Sequence, residues 1–174
     1  DTPQDGVVRE SYQGNTGQSG DPAPEADAEL VAIAATFLQR LGFLPGELQI
    51  LVNNRAMIDE QTAAMGITKE QRPDVYSWID RKDKLDAEKW LAAGNEIGLS
   101  DAQIDAVQSM ITDTELWKTP EDMQRFFQAI DAYGVGDYVR FAPHIIRGLL
   151  YYTGTVFEAG DTGGEFRAIF GGGR

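Results

Sequence analysis

The sequence predicts an α+β domain. Three observations carry this. A helical repeat at residues 25–41 runs directly into an aliphatic strand pattern at 47–53. A mostly helical stretch then fills 54–134, and strand-type patterning returns from 137 onward. Strands at both ends of the chain with helices between them suit a sheet domain with segregated helices. The 174 residues are enough to bury one ordinary core.

Composition narrows the class. With 42% hydrophobic and 25% charged residues the chain reads as a soluble globular protein. It has no cysteine, which excludes disulfides and thiolate metal sites and fits a cytosolic protein. No run reaches the roughly 18–20 apolar residues of a membrane span. The net charge of −13 argues against a broad nucleic-acid footprint on this segment, because phosphate contacts need Lys and Arg. The first residues, Asp-Thr-Pro-Gln-Asp, have no initiator Met and no signal-peptide pattern, so the chain is expected to be a piece of something longer.

Residues 1–24 are rich in glycine and proline and read as loop, with 7–13 as a candidate strand. In 25–41, Leu30, Ile33, Ala34, Phe37, Leu38 and Leu41 recur at helical spacing. Glu25, Asp27 and Glu29 complement the helix dipole, and Gly42 is a natural stop. Residues 47–53 are a strand rich in Leu, Ile and Val. Asn54 caps a helix to about Met65, stopped by Gly66. Thr68 caps the next piece, where Pro73 leaves open either a helix or two short turns. Residues 86–97 form another helix, and Ser100 with Gln103 makes a capping box for the one after it. Thr119-Pro120-Glu121-Asp122 starts a last helix to Gly134, with Pro at its first position. The expected division is 1–53 and 135–174 as an incomplete sheet core, with 54–134 as a helical insertion.

The C-terminal part reads as strand at 137–146 and 149–158. These two are expected to pair around Arg147-Gly148 or to form one long bent strand. In the second, Arg147, Leu149, Tyr151, Thr153, Thr155 and Phe157 share one face, and Tyr152 lies on the other with Gly148, Gly154 and Glu158. Residues 159–164 are turn-forming, 165–170 a short final strand, and Gly171–Gly173 either a place where the backbone approaches a ligand closely or a flexible end.

Few residues offer chemistry. His144 is the single histidine, so neither a histidine metal site nor a supported Ser-His-Asp arrangement is present. No P-loop and no Rossmann fingerprint occur. Arg147 is the best candidate, a permanent cation with paired donors for phosphate or carboxylate.

The stretch Arg147-Gly-Leu-Leu-Tyr-Tyr-Thr-Gly-Thr-Val-Phe-Glu158 resembles the histidine-specific motif of histidyl-tRNA synthetases, R-G-L-D-Y-Y-T-G-x-V-F-E. Leu150 stands in place of its Asp. Arg9-Glu-Ser-Tyr-Gln13 is similar to the family's R-E-F-Y-Q, which closes class II motif 2. Ala26-Asp-Ala-Glu-Leu30, Asn53-Asn-Arg55 and Gly171-Gly-Gly-Arg174 resemble three further family segments, in family order.

The resemblance implies a class II catalytic core with an antiparallel sheet. It implies ATP-dependent formation of histidyl-adenylate, then transfer to tRNA. ATP and Mg²⁺ would act in the full-length parent, a cytoplasmic homodimer, with no covalently bound cofactor and no membrane partner. tRNA would be met mostly outside this chain. By position, Arg147 is the catalytic residue, at the α-phosphate and carboxylate. Tyr152 would bond the imidazole and Gln13 would hold the amino-acid end. Tyr151, Gly171 and Gly172 are the remaining substrate-binding positions.

Val7 and Gly17 replace a phosphate-contacting arginine and an acid of the family pattern. The motif 2 arginine, motifs 1 and 3 and the anticodon-binding domain lie outside the sequence, so the chain alone is expected to be inactive. The alternative is the synthetase-like regulatory subunit of ATP phosphoribosyltransferase, which binds histidine without catalysis.

Overall fold

A four-stranded sheet organises the chain, with a long helical stretch between its first two strands. The computed structural model describes residues 14–146, 151–164 and 168–174. The elements are α1 (Pro24–Arg40), β1 (Leu48–Asn54), α2 (Arg55–Ala64), α3 (Arg72–Asp80), α4 (Ala87–Glu96), α5 (Asp101–Thr112), α6 (Glu121–Ala132), β2 (Val139–Phe141), β3 (Thr155–Asp161) and β4 (Phe170–Gly173). The α+β expectation holds.

The spatial order is β2-β1-β3-β4. β1 and β3 are antiparallel from Leu48 opposite Asp161 to Asn54 opposite Thr155. β3 and β4 are antiparallel from Val156 opposite Gly173 to Ala159 opposite Phe170. The edge strand β2 departs from the antiparallel expectation and joins β1 in parallel, with Ile50 opposite Val139. A parallel pair needs a long crossover, and the five helices α2–α6 supply it.

Several strand expectations are corrected. The segments around 138–146 and 149–158 do not pair and do not form one strand, because β1 lies between β2 and β3. Strand structure within 137–146 is confined to Val139–Phe141, since Gly136–Tyr138 is a 3₁₀ turn and Pro143 removes a ladder donor. Residues 151–154 are not strand, and β3 begins only at Thr155. It then continues through Asp161, past the point where the turn was expected. The last strand is Phe170–Gly173, so the glycine triplet is paired sheet and not a flexible end. The candidate strand at 7–13 and part of that at 165–170 lie outside the described residues.

Most helices follow their sequence signals, but Thr68 sits in a turn ahead of α3, accepting from the Gln71 N–H at 3.3 Å, and the N-cap of α3 is Gln71. Asn54 caps α2 by accepting from the Met57 N–H at 3.1 Å. α3 is a single helix with Pro73 in its first turn, where no N–H is missed. The capping box of Ser100 and Gln103 is formed. Pro120 is the N-cap of α6 and not its first helical residue. α1 buries a different stripe from the one its large residues suggested. Ala28, Val31, Ala35 and Leu38 are buried, whereas Ile33, Phe37 and Leu41 are more than half exposed. The alanines let α6 pack closely along α1.

The helices meet around Trp78 and Trp90, whose rings stack 4.1 Å apart. Each indole N–H donates to the other residue's carbonyl, at 2.7 and 3.0 Å. Two large aromatics thus enter the core with their polar atoms satisfied.

Candidate substrate site

Two residues at the β1–α2 junction, Asn53 and Arg55, hold the loop that leads into the 147–158 stretch. Asn53 is wholly buried and donates through Nδ2 to the Pro143 carbonyl at 2.9 Å and the Ile145 carbonyl at 3.0 Å. Its Oδ1 accepts from the Asn54 N–H at 2.8 Å. The Arg55 N–H donates to the Gly154 carbonyl at 2.7 Å. Its guanidinium Nη1 donates to the Ile146 carbonyl at 3.1 Å. The strand-to-helix turn therefore grips the loop on both sides of residues 147–150.

Arg55 is itself held from below. Its guanidinium carbon lies 3.8 Å from the centre of the Tyr76 ring, a cation–π contact. Its Nε is 3.7 Å from Asp59, and Arg72 reaches the same carboxylate at 3.8 Å. The Tyr76 hydroxyl donates to Asp59. Burial lowers the Arg55 pKa, with the neighbouring Asp59 opposing it. Burial, aided by the bond to Asp59, pushes the Tyr76 phenol up to about 12.

Tyr152 is buried and Tyr151 is 69% exposed, yet their rings are neighbours at 4.5 Å and 54°. They were expected on opposite faces of a strand. Because 151–154 leaves the extended conformation before β3, both rings turn to one side. β4 closes against them. A Cβ on Gly173 would fall 2.8 Å from both the Thr155 carbonyl oxygen and the Tyr152 ring. One on Gly172 would fall 2.8 Å from Phe157 Cζ. Tyr152 and Phe157 are what approach Gly173 and Gly172 closely among the described residues. Gly171 pairs with Glu158 in the same ladder.

Arg174 completes this corner. Its carbonyl accepts from Thr153 at 2.7 Å and Gly154 at 3.0 Å. Its Nε donates to both oxygens of Asp27 on α1, at 2.9 and 3.1 Å. Segments 26–30, 53–55 and 171–174, far apart in sequence, thus converge on 151–158.

On the other side of the loop lies a cavity of about 150 Å³, walled in part by Asp80, Lys84, His144 and Glu158. His144 sits in this wall between loop and helix. Among the described residues no group of three or more His, Asp or Glu side chains is placed to hold a metal ion.

Of the sequence-derived site residues, Tyr151 and Tyr152 lie side by side, while Gly171 and Gly172 lie in β4, paired with Glu158 and Phe157 of β3. Arg147 and Gln13 lie outside the described residues. Asn53, Arg55 and Arg174 were legible only as parts of resembling segments with no role attached. Asp59 and Tyr76 carried no signal, because they act at one remove.

The comparisons with known proteins agree with this geometry. The family model described as histidyl-tRNA synthetase matches residues 2–174. The histidine–tRNA ligase of Thermoplasma volcanium is 36% identical over 185 residues, covering 99% of this chain and 42% of the relative. Histidyl-tRNA synthetase from a Nostoc species superposes with a TM-score of 0.79 at 22% identity, over 88% of this chain and 40% of that one. A Bacillus halodurans protein described as an ATP phosphoribosyltransferase regulatory subunit/histidyl-tRNA synthetase gives 0.71 at 18%, over 89% of this chain and 43% of that one. The chain thus spans under half the length of these relatives. Matched along almost its full length by the family model and by a relative 36% identical to it, the chain belongs to the histidyl-tRNA synthetase family.

Proposed function

We propose that this chain is the catalytic-domain portion of a histidine–tRNA ligase, with the loop and strand at 147–158 forming one wall of a histidine pocket. The observation that carries this is the packing of Tyr152. It is buried against the backbone of Gly173, with Tyr151 beside it and Arg174 tying the corner to α1. Such a wall offers a hydroxyl and aromatic faces to a planar, hydrogen-bonding ligand such as imidazole.

In the parent, histidine and ATP give histidyl-adenylate and pyrophosphate, and the histidyl group then passes to tRNA. Tyr152 bonds the imidazole, Gln13 holds the amino-acid end, and Tyr151, Gly171 and Gly172 shape the pocket. Arg147 lies at the reacting α-phosphate and carboxylate and stabilises developing negative charge. ATP and Mg²⁺ are the cosubstrate and ion of that reaction. The described residues contribute to the histidine side of the pocket. The helical stretch 54–134 is read as an insertion between the halves of the sheet core. A cytoplasmic homodimer is the expected form of the parent.

Calorimetric titration of L-histidine tests the reading. The full chain is expected to bind histidine, and Arg147→Ala to weaken it by roughly tenfold or more, the scale of a lost charged hydrogen bond. Equal affinities would remove the role of Arg147, and an absence of binding in the unaltered chain would remove the pocket. A regulatory-subunit reading is favoured only by Val7, Gly17 and Leu150, which stand where the pattern has charged groups. Complex formation with the catalytic subunit of ATP phosphoribosyltransferase would support it.

A further inference from the structure

We infer that Arg55 and Tyr76 are positioning residues. They link helix α3 to the peptide group immediately before Arg147 and so set the shape of the histidine side of the pocket. This rests on the reading of 147–158 given above.

Start with the loop ends. The carbonyls of Pro143, Ile145 and Ile146 on one side, and of Gly154 on the other, accept from Asn53 and Arg55. The Ile146 carbonyl belongs to the same planar peptide unit as the Arg147 nitrogen. A donor fixed on that carbonyl therefore fixes the plane from which Arg147 departs. Arg55 supplies it from a guanidinium whose rigid fork cannot be mimicked by Lys.

What holds the Arg55 guanidinium besides the Ile146 carbonyl is not in the loop or the sheet. It is Tyr76 on α3, stacked 3.8 Å away, and Asp59 on α2, which the Tyr76 hydroxyl orients. Tyr76 is 3% exposed, and Arg55 is 4% exposed. The path Tyr76–Asp59–Arg55–Ile146 is therefore a connected set, buried except at the part-exposed Asp59, that runs from the helical stretch to the loop. A shift of α3 alters the stack, then the guanidinium, then the peptide before Arg147. By reciprocity, a ligand that settles the loop also settles α3.

Amide hydrogen exchange and histidine calorimetry on the full chain test this together. Tyr76→Phe keeps the ring and its volume and removes only the hydroxyl that orients Asp59. Arg55→Lys keeps the charge and removes the fork. Both are expected to speed exchange at the hydrogen-bonded amides of Arg55, Ile145, Thr153 and Gly154. Exchange in α5 should stay as it was. Histidine dissociation constants should rise by about 3- to 30-fold, the range for coupling carried through such a network. Unchanged exchange at the loop amides in Tyr76→Phe overturns the link, and so does equal acceleration in α5, which marks general loosening. If Arg55→Lys does not fold, Tyr76→Phe alone decides. If the unaltered chain binds no histidine, the exchange data still judge the link, and the pocket reading is what fails.

Discussion

Gly173 and Gly172 occupy adjacent places in one strand and differ in what a methyl group would strike. At Gly173 the obstacle is the Thr155 carbonyl, part of the β3–β4 ladder, together with the Tyr152 ring. At Gly172 it is the far edge of the Phe157 ring. Backbone in a ladder cannot yield without losing hydrogen bonds, whereas a ring tip can tilt. Gly173→Ala is expected to cost about 1–3 kcal/mol, in the range of overpacking, and Gly172→Ala less. Gly173→Ala should also weaken histidine binding, because it displaces Tyr152. Denaturant melts and calorimetry on the two variants check the order, and a reversed order would contradict it. The glycine triplet was recognisable in sequence as a close approach. What approaches it was not, since the partner strand lies about fifteen residues upstream.

Among the elements, α4 carries a glycine in its interior, which ordinarily weakens a helix by about 1 kcal/mol relative to alanine. Gly94→Ala should nevertheless destabilise. The new Cβ would lie 2.8 Å from the Trp78 ring and 3.0 Å from Ile104. The indole cannot retreat, because its stack on Trp90 and the two crossed N–H bonds pin it. A penalty of about 1–3 kcal/mol outweighs the propensity gain. A lowered melting temperature is the expected result. Helices were legible because their caps are local: Asn54, Ser100 with Gln103, and the glycine stops could be read directly. Strands were less so. Tyr151 and Tyr152 have strand propensity, but propensity is set by neighbours, and at 151–154 the neighbours are a carbonyl of Arg174 and an N–H of Arg55. α1 misled because its largest residues face outward while alanines do the packing.

At the scale of the whole molecule, α1 and α6 are joined across one hundred positions of sequence by Arg125. It donates through Nε and Nη2 to the two oxygens of Glu25, at 2.8 and 2.7 Å. The Arg125 guanidinium holds the Glu25 carboxyl below its ordinary 4.5. A depressed carboxyl contributes stability that is present above the unfolded value and lost as pH falls below it. The pair is exposed, so the effect is small and salt-sensitive. Melts between pH 3 and 6 should show a slope that Arg125→Gln reduces, and high salt should erase the difference. The site is also a property of the whole molecule. Tyr152 and the glycines were readable from the motif. Asn53, Arg55 and Asp59 were not assigned, because they work on backbone carbonyls or on one another, and such contacts leave no spacing in the sequence.

The sheet order has a consequence for how the chain comes together. β1 is complete by Asn54, yet its partners are Val139–Phe141 on one edge and Thr155–Asp161 on the other. During synthesis from the N-terminus, this aliphatic strand waits with both edges bare while some eighty residues of helix are made. Contacts of such sequence separation form slowly, and an unpaired apolar strand invites pairing between chains. Helices α1–α6 can collapse early around the stacked tryptophans and shelter one face of the waiting strand. Closure of the sheet, and with it the loop that carries Arg147, then waits on these distant partners.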